Sequence, residues 1–306
     1  MRPKRFYKAK RGVFKAPIYQ VGHDMEQTAE ATLKKPFVAI QPQTGLFQLD
    51  LVSVWHYREL LFFLVWRDVL TRYKQTVIGA AWVVLQPLIN MILFTLIFSR
   101  LAKIPSDGIP YPVFAFTALL PWSYFAQALA KTSGSVVSSA NLVTKIYFPR
   151  LLIPIAASIA PVVDLVFSFL VLIVLMAWYH ITPGWGMLAL PFFISLAILT
   201  ALAVGLWASA LNVRYRDVGS IIPFVAQIWM YASPVAYPVS MVPEKWRLLY
   251  SLNPMVAVIE GFRWALLGKE RPDLSMIAVS FVTVVALLLG GIVYFKKMEQ
   301  SFADEI

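Results

Sequence analysis

Cysteine is absent from this 306-residue chain. Disulfides, thiol nucleophiles, iron–sulfur clusters and Cys-ligated zinc are thereby excluded. Charge is scarce too: 14% of the residues are Asp, Glu, Lys or Arg, against about 25% in a soluble globular domain. The histidines, His23, His56 and His180, fall in three separate regions and suggest no ligand set. No Gly-x-x-x-x-Gly-Lys-Ser/Thr sequence occurs, so the chain binds no ATP through a P-loop. His-Glu-x-x-His and Gly-x-Ser-x-Gly are missing as well. Carboxylates are few and nearly all lie outside the apolar stretches. The chain is therefore expected to be no enzyme, to hold no metal and to bind no cofactor of its own.

What is present in excess is apolar surface. Hydrophobic residues make up 59% of the chain and its mean hydropathy is +0.69. A single soluble core cannot hide that much, and a disordered chain would not carry it. The apolar stretches are long and continuous rather than alternating over about ten residues, which argues against a membrane β-barrel. The expected class is an all-α integral membrane protein.

Charge-free runs cover 75–99, 108–130, 218–243 and 274–295. The run 151–213 contains one charge, Asp164, and is divided near 179–186 by Pro183, Gly184 and Gly186. Since roughly 20 residues cross the hydrocarbon, these runs predict six transmembrane helices. An even count places both termini on one side. Putting them inside assigns most of the 27 Lys and Arg residues to cytoplasmic segments, in agreement with the positive-inside rule. The net charge of +11 then reads as a topology signal facing anionic lipid rather than as a nucleic-acid footprint.

Residues 1–54 form a basic cytoplasmic arm. Arg2, Lys4, Arg5, Lys8, Lys10, Arg11 and Lys15 occur before any acid, and Pro17, Pro36 and Pro42 oppose a long helix. No apolar signal-peptide region is visible there. The arm is expected to be flexible and to rest on anionic headgroups, the alternative being a solvated tail. Over 55–74, Leu60, Leu61, Leu64, Val65 and Leu70 alternate with Arg58, Glu59, Arg67, Asp68, Arg72 and Lys74. Charges so frequent suit an amphipathic helix in the interfacial plane rather than a span.

Two connections stand out. The inner one, 131–150, opens with Ser and Gly; Asn141 is placed to cap a short helix and Pro149 to stop it. The outer one, 234–272, shows helical period over 244–252 and 255–267, with Pro243 and Pro254 at the starts, where proline is tolerated. Two short helices at the outer surface are expected. Asp164 lies inside a predicted span, where a charge is costly. One reading makes it a polar wall or proton site, the other an interhelical hydrogen bond.

Several segments together carry a resemblance: RYKQTVIGAAWVVLQPL (72–88), LLPWSYF (119–125), NLVTKIYFPRLLIP (141–154), LNVRYRDV (211–218), SPVAYPVSMVPEKW (233–246), SLNPM (251–255), EGFRWALLG (260–268) and the terminal FKKMEQSFADEI. In this order and spacing the chain resembles the transmembrane subunit of polysaccharide ABC exporters, the ABC-2 type permeases. The resemblance covers about 57–306 and leaves 1–50 aside; it implies an ABC-2 transmembrane domain over 75–300 and a cytoplasmic tail over 301–306.

That resemblance implies a homodimer that works with two copies of a separate ATPase subunit, which would hold ATP and Mg. Asn141, Lys145, Ile146, Tyr147, Phe148 and Arg150 would then belong to a coupling helix docking on that subunit. Its cargo would be a glycan on undecaprenyl pyrophosphate: O-antigen, capsule or teichoic acid. Arg72, Tyr73 and Lys74 would mark substrate entry, either holding the pyrophosphate or anchoring topology by snorkelling. Trp82, Phe94, Phe98, Trp229 and Tyr231 are candidate channel aromatics. Tyr237, Trp246 and Arg263 fall in the segment resembling gate helices. Location in the bacterial inner membrane follows. The rivals are an ABC-2 exporter of a small lipid or drug, a proton-coupled secondary transporter, and a membrane glycosyltransferase; the last two lack a proton relay and a carboxylate cluster respectively.

Overall fold

The computed structural model describes residues 55–74, 79–268, 271–299 and 301–305. The basic arm over 1–54 lies outside them. The described residues are helical, with no strand among them. Five helices are long and apolar enough to cross a membrane: Ala81–Leu101, Tyr111–Ser138, Leu152–Trp178, Trp185–Arg214 and Leu274–Glu299.

Helix α1 (Arg58–Tyr73) precedes α2 (Gly79–Phe94), which runs on through a π-helical stretch, Thr95–Leu101. There Ala102 N–H reaches back to Ile97 C=O at 2.9 Å, the wider turn that defines a π-bulge. Helix α3 (Tyr111–Ser138) starts at Pro110 and carries Pro112 in its first turn, where a missing N–H costs nothing. It is the most enclosed of the five spans. Phe114, Phe116, Leu119, Leu120 and Phe125 are all within 1% of full burial.

Helix α4 (Ala140–Lys145) is short, and α5 (Leu152–Ile159) and α6 (Val162–Trp178) form one span broken at Pro161. Helix α7 (Leu190–Arg214) packs more extensively on α3 than any other element does. Their closest approach requires a glycine: a Cβ on Gly205 would stand 2.5 Å from Thr132 Cγ2. Such small-residue contacts are how helices approach in lipid, where burial alone gives no drive to associate. Asn212 adds polar glue, donating to Ser133 C=O at 3.0 Å and accepting from Gly219 N–H at 2.9 Å.

The expected span over 218–243 takes another form. Helix α8 (Val218–Tyr231) has 14 residues, about 21 Å of rise, short of the ~30 Å hydrocarbon core. Pro234 and Pro238 cannot continue the helix, and the chain turns instead. Helices α9 (Glu244–Tyr250) and α10 (Pro254–Leu267) follow, close to the expected ranges. Asn253 caps α10 by accepting from Met255 N–H at 3.1 Å, and Gly268, at φ +65°, closes it in the left-handed conformation. Rather than lying on the surface, α10 is almost wholly buried among α3, α7 and the last span. Helix α11 (Leu274–Glu299) and α12 (Phe302–Glu305) end the chain, with Phe302 fully buried beside Phe295.

Candidate functional site

At the end of the molecule that holds α4, helix α1 packs one face on the other helices. Leu64 is buried, with Leu60, Leu61 and Val65 packed on the cluster formed by Val136, Phe148, Leu152 and Ile153. The carboxyl end of α1 then meets residues well inside spanning helices. Arg72 Nη1 donates to Gln127 Oε1 of α3 at 2.7 Å and pairs with Asp164 Oδ2 of α6 at 2.5 Å. The Tyr73 hydroxyl donates to Asp164 Oδ1, and its ring stands edge-on to Phe167. Gln127 precedes the end of α3 by about 16 Å of rise; α1 packs mainly on α5 and reaches α3 through the Arg72–Gln127 bond. Phe62, Phe63 and Trp66 form its exposed face, while Arg67, Asp68, Thr71 and Arg72 line a cavity.

That cavity has a volume of about 640 Å³ and lies between α1, α3 and α5. Lys131, Ser135, Ser138 and Ser139 line the α3 side, Ile153 and Ala157 the α5 side. Asp164, the lone charge of its span, is 4% exposed and held by a cation and a hydroxyl; of the two sequence readings, interhelical bonding is the one the geometry contains. Burial first, then the bond to Asp164, raises the Tyr73 pKa above the ordinary tyrosine value. Lys74 is exposed and takes no part. Sequence reasoning missed Gln127 and Lys131. Their i, i+4 spacing puts them on one face of α3, yet nothing in the sequence aimed that face at α1.

The inner loop is divided between outward and inward residues. Asn141, Lys145, Ile146 and Tyr147 are exposed. Asn141 lies within α4, which begins after Ser139, so it is not the cap. Phe148 is 6% exposed and packs in the chain's own inner cluster, so it does not stand out as an anchor. Arg150 is likewise engaged internally: its backbone N–H donates to Glu299 Oε1 at 3.3 Å and its guanidinium to the Glu299 carbonyl. The loop is thus tied to the end of α11.

The candidate channel aromatics also separate. Phe94 and Phe98 stack edge-to-face at 5.1 Å and belong to the core. Trp229 packs against Phe125 at 5.1 Å. Trp82 and Tyr231 are half exposed.

At the opposite end the three expected gate residues differ in kind. Arg263 is 1% exposed and serves as a staple rather than a surface contact. Its guanidinium pairs with Glu260 at 2.9 Å, donates to the carbonyls of Val235 at 3.1 Å and Tyr237 at 3.3 Å, and stacks 3.6 Å over the Phe114 ring. Burial leaves it no way to touch a bound sugar in this arrangement. Tyr237 and Tyr250 share a hydroxyl–hydroxyl bond of 2.9 Å. Burial first, and that bond second, raise the Tyr250 pKa. Trp246 is half exposed beside a shallow groove with Val242, Leu249 and Tyr250.

Comparison with known proteins bears on all three regions. Residues 59–267 match the family described as ABC-2 type transporter. The O-antigen export system permease protein RfbA of Myxococcus xanthus is 27% identical over 257 residues, covering 83% of this chain and 98% of that protein. RfbA of Klebsiella pneumoniae is 26% identical, over 80% of this chain and 94% of its own length. The polysialic acid transport protein KpsM of Escherichia coli is 25% identical, covering 83% and 96%.

Proposed function

Because this chain belongs to the ABC-2 type transporter family, we propose that it exports a lipid-linked polysaccharide, of O-antigen class, across the bacterial inner membrane. The observation that carries this reading is the extent of the similarity. The O-antigen permeases align along 94% or more of their own lengths, so the likeness includes the whole transport unit rather than one shared helix pair. It is a multi-pass membrane transport subunit with five long apolar spans; α8, with the turn and helices after it, completes an even topology with both termini cytoplasmic.

In this reading two copies form the pathway and two copies of a separate ATP-binding subunit supply the energy. Asn141, Lys145, Ile146 and Tyr147, exposed on the inner loop, form the docking surface, while Phe148 and Arg150 hold that loop to the rest of the chain. Arg72, with Lys131 added from the structure, faces the cavity where a pyrophosphate headgroup would enter. Trp82 and Tyr231 offer exposed rings on which sugar faces can slide. Helices α9 and α10 act as an outer gate, with the Tyr237–Tyr250 pair at their base. The basic arm rests on anionic lipid.

The test is surface glycan. Cells lacking this protein should retain undecaprenyl-linked glycan inside and lose it outside, and a tagged copy should purify with an ATPase. Normal surface glycan in those cells, or a tagged copy that purifies from mild detergent with no ATPase, refutes the reading.

A further inference from the structure

The inner cavity holds an imbalance of charge. Arg67 pairs with Asp68 at 2.8 Å and Arg72 with Asp164 at 2.5 Å. Lys131, the third cation lining the cavity, has no carboxylate within salt-bridge distance among the described residues. Seven residues of α3 separate it from Ser138, about 10 Å of rise from the helix end. Asp68 and Asp164 act on this half-buried ammonium only from beyond salt-bridge distance and are already paired with Arg67 and Arg72, which leaves it able to take an anion beside it. The cavity's flanks at Ala130, Ile153 and Ala157 are apolar, which suits an anion carried on a lipid.

Arg72 belongs to two structures at once. It lines this cavity, and it fastens the end of α1 to Gln127 and Asp164. We propose that the Arg72–Asp164 pair is a latch operated by a phosphate-class anion. An anion drawn in by Lys131 competes with Asp164 for Arg72, and α1 loosens from α3 and α6 when it wins. The competition favours the anion because a pyrophosphate or phosphate carries more charge than one carboxylate and accepts the guanidinium fork through two oxygens. Asp164 tolerates the loss. It keeps the Tyr73 hydroxyl and lies in the first turn of α6, where the helix dipole supports a negative charge. The end of α1 therefore loosens without detaching. This step rests on the export reading only for the identity of the lipid; the latch itself concerns the chain's own residues.

The full chain contains no cysteine, so Leu70→Cys, on an exposed position of α1, takes a single spin label. The labelled protein is placed in phosphatidylcholine nanodiscs and titrated with inorganic pyrophosphate from water or with farnesyl pyrophosphate in the bilayer. Label mobility should rise on binding. Asp164→Asn should be mobile before any anion is added and should bind about tenfold tighter, since Arg72 has lost its competitor. Lys131→Ala should keep the resting immobility and bind about tenfold more weakly. Gln127→Met, a neutral change that leaves the ion pair in place, should bind about threefold tighter and guards against misfolding of the Asn variant. Half-saturation at much lower farnesyl pyrophosphate than inorganic pyrophosphate assigns the site to a lipid headgroup; equal values assign it to the free anion. Both uphold the latch. No change in mobility with either probe, or no gain in affinity for Asp164→Asn and Gln127→Met, overturns it. Neither result touches the export reading, which is decided by surface glycan.

Discussion

Replacing Arg263 with Met should be the most damaging single change at the outer end. The methionine side chain fills much of the space above Phe114 but removes every polar contact. Glu260 loses its partner at 2.9 Å, and the carbonyls of Val235 and Tyr237 lose donors at 3.1 and 3.3 Å. Breaking one partner of a buried ion pair costs about 3–5 kcal/mol. Glu260 keeps 24% of its side chain exposed, so water recovers part of its share. The two carbonyls, in the turn where α8 ends, have no such recourse, and each hydrogen bond to a charged group is worth about 1.5–3 kcal/mol. These contributions overlap, and a net loss of about 4 kcal/mol is expected. Arg263→Lys keeps the charge but not the fork or the stack, and should lose about half of that. Equilibrium unfolding in mixed micelles, compared with the wild type, measures both. Glu244→Ala serves as the control, because Glu244 is 89% exposed and 3.9 Å from Arg247, so the pair adds under about 1 kcal/mol. Wild-type stability in Arg263→Met, within about 0.5 kcal/mol, would refute the staple.

Gly205→Val should destabilise the α3–α7 contact by about 1–3 kcal/mol through overpacking on Thr132, and Thr132→Ala in the same chain should recover much of it; unfolding of the single and double variants measures this. Raised pKa values at Tyr73 and Tyr250 mean that the folded chain keeps protons the unfolded chain releases. Their contribution is complete below the unfolded tyrosine value of about 10 and should fall as pH rises beyond it. Tyr250→Phe should flatten that alkaline decline in a stability-against-pH series. In the inner loop, Tyr147→Ala, which removes an exposed ring, should weaken ATPase co-purification at least tenfold if the ring is an interface anchor, with no effect on the chain's own unfolding midpoint.

Legibility in the sequence followed the range of the interaction. Runs with no charge or a single one located all five long spans, because the bilayer demands length and apolarity from each segment by itself. Pro243 and Pro254 located α9 and α10 to within a residue or two, because the signals that start a helix are local. The segment 218–243 was harder. Its composition suits a span, and only the positions of Pro234 and Pro238 decide that α8 stops at Tyr231. Pairing was the least legible. Asp164 is conspicuous as a lone charge, yet its partner is separated by ninety-odd positions in sequence, on a helix whose charges suggested a surface. Arg263 and Phe148 were assigned outward roles through the resemblance, and burial, which depends on α3 and the last span, gave them inward ones.

The two arginine staples share a design that yields a last prediction. Helices α1 and α10 are too short to be held across a bilayer by their own length, and each is fixed by one arginine to α3 and a neighbour. Arg72 reaches Gln127 and Asp164; Arg263 reaches Phe114 and the carbonyls of Val235 and Tyr237 in the turn after α8. Gln127 and Phe114 lie about 20 Å apart along α3, beyond the distance at which substitutions usually couple. The staples should therefore fail independently. Arg72→Met and Arg263→Met together should destabilise by the sum of the single losses to within about 0.5 kcal/mol. Label mobility at Leu70→Cys should respond to the first change alone. A coupling of 1 kcal/mol or more, or a label on α1 that senses Arg263→Met, would mean that α3 transmits strain between its ends, and the independence argued from their separation would be wrong.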